Sequence, residues 1–177
     1  PSRPTTERTM AVEIERRFLL TGDGWRSLAG EPQPLRQGYL AASAEGVTVR
    51  IRLRGADAAW LTLKAAADAI GLVRHEFEYA IPVADAESLW TLAPHRLAQT
   101  RYELSLASGD WVVDQFAGRN GPLLLAEVEL PSAQTPLEIP SWSGQEITGE
   151  GRWSNAALAR RPLQDWPLAE RQAVGYA

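Results

Sequence analysis

The sequence predicts an α+β fold: an antiparallel β-barrel of about eight strands with a few flanking helices. Apolar and polar residues alternate with period two in segment after segment, which is the mark of half-buried strands. Glycines such as Gly46, Gly71 and Gly109 fall between these runs, where turns are needed. Helical periodicity is confined to a few short stretches near residue 25, before residue 93 and at the C-terminus.

The elements follow in chain order. In VEIERRF (12–18), Val12, Ile14 and Phe18 alternate with Glu13, Glu15 and Arg17. A short helix is expected over 23–29, after Gly22, and PLRQGYLAA (34–42) reads as the second strand. VTVRIRLR sets Val47, Val49, Ile51 and Leu53 against Thr48, Arg50, Arg52 and Arg54, and WLTLKA sets Leu61 and Leu63 against Thr62 and Lys64. VRHEFEYAI places Val73, Phe77, Tyr79 and Ile81 opposite Arg74, Glu76 and Glu78. ADAESLWTL (84–92) has the spacing of an amphipathic helix. AQTRYELSL, DWVVDQF and LLAEVEL restore alternation, with Gln99, Arg101, Glu103, Asp114, Glu127 and Glu129 on the polar side. RWSNAALARR (152–161) and LQDWPLAERQA (163–173) form a helical tail interrupted by Pro162 and Pro167.

Bulk properties narrow the function. The 177 residues suit one domain, from about residue 11 to 177 behind a tail over 1–10. A formal charge of −4 argues against a general nucleic-acid binder, which carries a basic excess. With no cysteine and two scattered histidines, His75 and His95, zinc and thiolate chemistry are not indicated. No apolar run reaches the ~18 residues that span a bilayer, and the first nine residues lack the apolar core of a secretory signal. A cytoplasmic protein with no membrane contact is expected. There is no phosphate-binding G-x-x-x-x-G-K-[ST] loop.

A wet sheet face would account for the charges of any single strand. Three features of the whole set go further. Glu-x-Glu occurs in three strands, as Glu13–Glu15, Glu76–Glu78 and Glu127–Glu129. Carboxylates two positions apart lie roughly 7 Å apart on one face, and hard divalent cations take oxygen ligands from such groups. Arg50, Arg52 and Arg54 form a basic run with no acid in it, suited to an anion with several charged oxygens. Neutral polar residues are also scarce on these faces. If the barrel closes with this face inward, acids and bases line opposite walls of one cavity.

VEIERRF, VRIR, LTLK, HEFEY, QTRYEL, VVDQF and AEVEL, in that order, resemble the CYTH domain family of triphosphate tunnel metalloenzymes, as do QGYL and RWSNAALA. The resemblance runs from about residue 11 to residue 160. It implies an eight-stranded antiparallel tunnel, commonly in a homodimer, that hydrolyses or rearranges small triphosphates with Mg²⁺ or Mn²⁺. Carried over by position, it implies Glu13, Glu15 and Arg17 as the catalytic signature. A metal site of Glu13, Glu15, Asp114, Glu127 and Glu129 and a tunnel pair of Glu76 and Glu78 are also implied. Arg50, Arg52, Lys64, Arg74 and Arg101 would grip the triphosphate. The family's signature ends in lysine where this chain has Arg17, and the family often has lysine where this chain has Gln99. A tripolyphosphate hydrolase is the leading expectation. An adenylate cyclase of the class IV type, or a polyphosphate- or nucleotide-binding module with weak or no turnover, are the alternatives.

Overall fold

The computed structural model describes residues 14–42, 47–66, 74–132 and 134–176. Its strands are β1 (Ile14–Leu20), β2 (Gln33–Ala41), β3 (Thr48–Arg54), β4 (Ala58–Ala66) and β5 (Arg74–Ala80). They continue with β6 (His95–Leu104), β7 (Asp110–Phe116), β8 (Leu124–Leu130) and β9 (Ser143–Glu146). All pair antiparallel in one sheet of order β5-β4-β3-β2-β6-β7-β8-β1-β9. Eight of the nine match the alternating runs; β9 is the short SGQE stretch, which lacks alternation.

The expected closed barrel does not form among the described residues. Closure of an eight-strand circuit would join β5 to β1. Instead β1 pairs with β8 on one side and with β9 on the other, where Phe18 and Leu20 face Glu146 and Ser143. The sheet is open, with β5 and β9 at its edges.

The helical expectations resolve unevenly. The 84–92 stretch is α1 (Val83–Leu92), which buries Ala86 against Leu53 and Ala59 on the outer face. Its end packs closely on β2 because Gly38 has no side chain there: a Cβ would stand 2.9 Å from that of Ala93. The 23–29 stretch is only a 3-10 turn, Gly24–Leu28. Residues 152–161 form a 3-10 turn and then α2 (Asn155–Arg160), capped where Ser154 Oγ accepts from the Ala157 amide at 3.2 Å. The 163–173 stretch breaks at Pro167 into a turn and α3 (Leu168–Ala173), since proline cannot continue a helix from behind.

Strand alternation gives the sheet two different faces. On the outer face Phe18, Leu104, Trp111, Val113, Ala126 and Val128 pack under Trp25 and Trp142, which the connections supply. On the inner face Leu19, Leu97, Phe116 and Leu125 occupy one end only. The C-terminal segment covers them with Ile147, Trp153, Leu158, Leu163 and Trp166. Trp153 and Leu158 are fully buried there. The rest of the inner face keeps its charged residues, and the C-terminal segment forms its floor.

Candidate active site

Residues from β1 to β8 share one cavity of about 560 Å³ on this inner face. Because β5 and β1 lie far apart in sheet order yet both line it, the sheet must curl around the space.

β3 and β4 build the basic wall. Arg50 is buried, and its Nη2 donates to Thr62 Oγ1 at 3.0 Å and to Glu78 Oε2 at 3.4 Å. The Thr62 hydroxyl donates in turn to the same Glu78 oxygen at 3.0 Å, which fixes both partners. Lys64 Nζ pairs with Glu76 Oε2 at 2.9 Å. Glu76 and Glu78 therefore interleave with the bases through the register Lys64↔Glu76 and Thr62↔Glu78, and the two signs are only partly segregated. Arg54 leaves the group and stacks over the Trp60 ring at 5.0 Å.

Arg52 is different. It makes no ion pair or hydrogen bond among the described residues, and its Nε is buried without a partner. Burial lowers its pKa, and the neighbouring cations Arg50 and Arg101 lower it further. Three guanidiniums thus crowd one region, and Arg52 has only the charge of Glu78, without a hydrogen bond or ion pair among the described residues, to offset the other two.

The opposite wall carries two rows set by strand register. Asp110, Glu129 and Glu15 are cross-strand neighbours on β7, β8 and β1. One step along, Val112, Glu127 and Arg17 are neighbours in the same way. Arg101 reaches this wall from β6: its Nε and Nη2 donate to the two oxygens of Asp114 at 2.8 and 2.7 Å, and Nη2 also reaches Glu127 Oε2 at 3.2 Å. Burial alone would lower the Arg101 pKa, but Asp114, Glu127 and Glu15 outweigh it and hold the guanidinium protonated. Burial pushes the Asp114 carboxyl up against the pull of Arg101. The guanidinium's direction is the one that decides the pair, because three carboxylates support that single cation.

The structure thus brings together Glu15, Arg17, Arg50, Arg52, Lys64, Glu76, Glu78, Arg101, Glu127 and Glu129. Asp114, expected as a metal ligand, is not in the cavity wall. It is fully buried with both oxygens taken by Arg101, so it holds that residue in place. Glu13 and the Arg74 side chain lie outside the described residues. Gln99 is buried at the side of the site, where its Oε1 accepts from Gln37 Nε2 at 3.4 Å.

Sequence reasoning missed Tyr39, Asp110, Ser154 and Asn155, which also line the cavity. Asp110 was within reach, since it shares strand parity with Asp114. Tyr39 shares parity with Gln37 in β2; burial raises its phenol pKa. Ser154 and Asn155 carried no signal, because nothing in their spacing says that the C-terminal segment folds onto this face.

A metal implied by the resemblance can be tested against this donor set. Glu15, Glu129 and Asp110 are hard oxygen donors in one lateral row, with adjacent strands about 4.8 Å apart. Their chemistry suits a divalent cation such as Mg²⁺ or Mn²⁺. Among the described residues no three acidic or histidine side chains yet converge on one point.

Comparison with known proteins agrees with this architecture. The CYTH domain family model matches residues 11–157. The chain is 34% identical over 159 residues to an inorganic triphosphatase of Acetivibrio thermocellus, covering 89% of this chain and 99% of that protein. It is 38% identical over 154 residues to an inorganic triphosphatase of Nitrosomonas europaea, covering 84% and 97%. The crystal structure of the inorganic triphosphatase NE1496 superposes with a TM-score of 0.63 at 36% identity, covering 85% of this chain and 95% of that one. A match over 11–157 and relatives aligned along nearly their whole length give one conclusion: the chain belongs to the CYTH domain family.

Proposed function

We propose that this protein is a divalent-metal-dependent hydrolase of small triphosphates, with inorganic tripolyphosphate as its first substrate. The carrying observation is Arg52. A half-buried guanidinium with no hydrogen bond or ion pair among the described residues, beside Arg50 and Arg101, favours an anion of several charges between them. The two relatives named inorganic triphosphatases support the choice of anion.

In this reading Arg50, Arg52, Lys64, Arg74 and Arg101 bind the phosphate chain. Thr62 and Glu78 aim Arg50, and Asp114 with Glu127 aims Arg101. Pre-aimed donors stabilise the charge that builds on the equatorial oxygens during in-line displacement. Water adds to the terminal phosphorus, the bridging P–O bond breaks, and tripolyphosphate gives phosphate and pyrophosphate. Glu13, Glu15 and Glu129 would hold Mg²⁺ or Mn²⁺, which when bound screens phosphate charge and favours a nucleophilic water. The same reading takes residues 11–177 as one cytoplasmic domain, assembled as a homodimer. The dimer follows the family resemblance; among the described residues no helix is long and apolar enough to cross a membrane.

The test is a phosphate-release screen of tripolyphosphate, ATP, thiamine triphosphate and pyrophosphate, each with Mg²⁺ and Mn²⁺. Release from tripolyphosphate that needs the metal is expected. Tight tripolyphosphate binding with no release over hours would instead make the protein a binding module, and cyclic AMP from ATP would make it a cyclase.

A further inference from the structure

Arg17 lines the cavity beside the acids of β1 and β8, yet only 9% of the residue is exposed. Each of its polar atoms has a protein partner. Nε donates to Glu127 Oε1 at 3.0 Å, and Nη2 lies 2.8 Å from the same oxygen. Nη1, on the other edge of the guanidinium, donates to the Trp153 carbonyl at 3.1 Å. The main chain makes the same connection twice more. The Arg17 amide donates to Thr148 Oγ1 at 3.0 Å, and the Arg17 carbonyl accepts from the Ile147 amide at 2.9 Å.

Three of these contacts end on residues 147–153. That stretch runs directly into Ser154, Asn155 and Ala156, which line the cavity. The remaining contacts hold Glu127, whose other oxygen is held by Arg101. We infer that Arg17 is a positioning residue: it clamps the Glu127 carboxylate and the Trp153 carbonyl together, so fixing residues 154–156, the cap and first residues of α2, as part of the cavity wall, and it is not a ligand of the phosphate chain. The purpose of that wall rests on the triphosphatase reading, but the clamp is a property of the resting protein.

The residue type fits this task. A guanidinium is a planar fork with donors on separate edges, so one side chain can serve a carboxylate and a carbonyl at once. An ammonium concentrates its donors on one atom, and a lysine at position 17 could satisfy Glu127 or Trp153 but would not span both. Both edges of the fork are turned to buried protein acceptors, Nε and Nη2 to Glu127 and Nη1 to Trp153, so the guanidinium is aimed at the wall and would have to release one of them to grip an arriving phosphate with a whole edge.

The test uses Arg17→Lys and Arg17→Met in the full chain, with two readouts. Amide hydrogen exchange in the ligand-free protein should be about tenfold faster over residues 153–158 in both variants and within about twofold of the parent over β6 and β7. With tripolyphosphate and Mg²⁺, kcat should fall about tenfold or more while KM stays within about threefold. Unchanged exchange over 153–158 in both variants would overturn the clamp. A KM raised more than about tenfold at constant kcat would also overturn it, by returning Arg17 to the phosphate grip. If the parent released no phosphate from tripolyphosphate, the triphosphatase reading would fall, and the exchange measurement would still decide the clamp.

Discussion

Replacing Asp114 with Asn tests whether the acid wall is held up from behind. Asp114 is fully buried and accepts both Arg101 donors, at 2.8 and 2.7 Å, whereas Arg101 keeps a quarter of its side chain exposed. Removing one partner of a buried pair costs about 3–5 kcal/mol, because the other charge is left uncompensated. Here Glu127 remains 3.2 Å from Arg101, and the partial exposure lets water assist, so the low end applies: about 3 kcal/mol. For a chain of this size that lowers Tm by roughly 6–12 °C. Urea denaturation of parent and variant would measure the loss, and tripolyphosphate KM should rise because Arg101 is no longer aimed. A loss below about 1 kcal/mol with KM unchanged would show that Asp114 neither holds Arg101 nor matters to the site.

Three further outcomes are expected. Arg52→Gln should raise tripolyphosphate KM by about tenfold or more without lowering Tm, since it removes a half-buried cation with no hydrogen bond or ion pair among the described residues; a clear drop in Tm would mean Arg52 has a structural partner. Trp153→Ala should cost about 3–5 kcal/mol in urea denaturation, because the ring is fully buried between the sheet and Trp166. Glu146 on β9 is held below the usual carboxylate range by the hydrogen bonds from Arg16, so its contribution is full at neutral pH and lost as pH falls through that lowered value. With 39% of the Glu146 side chain exposed, Glu146→Gln should cost under about 1 kcal/mol near pH 7 and progressively less as pH falls through the lowered carboxyl value; a gap that does not shrink with acid would refute the linkage.

Much of this site was legible because strand geometry turns sequence parity into a face. Glu15 and Arg17, Arg50 and Arg52, Glu76 and Glu78, and Glu127 and Glu129 needed only alternation to be grouped, and the cavity contains all eight. Parity does not say what covers a face, however. Leu19, Leu97, Phe116 and Leu125 share the charged face, and only the folded C-terminal segment explains why apolar residues stand there. Register was equally hidden: Asp110 became a neighbour of Glu129 and Glu15 through strand pairing, which alternation along one strand cannot reveal. Among the described residues barrel closure is not seen, for a related reason. β9 carries no apolar alternation, yet its backbone occupies the edge of β1 that a barrel would have used.

The two departures from the family's lysines can now be weighed together. At position 99 the chain has a buried amide, two residues before Arg101 on the same face of β6, paired with Gln37. A lysine there would add a buried cation near a region where Arg50 and Arg101 already depress the pKa of Arg52. A neutral side chain limits that repulsion in the ligand-free protein and leaves Arg50, Arg52, Lys64 and Arg101 to supply the positive charge. At position 17 the change runs the other way. Arginine keeps the charge but distributes it over a fork that Glu127 and Trp153 occupy. One substitution removes a cation from the site and the other ties a cation into its wall. On the triphosphatase proposal, both changes make Arg52, which has no hydrogen bond or ion pair among the described residues, the cation most open to phosphate.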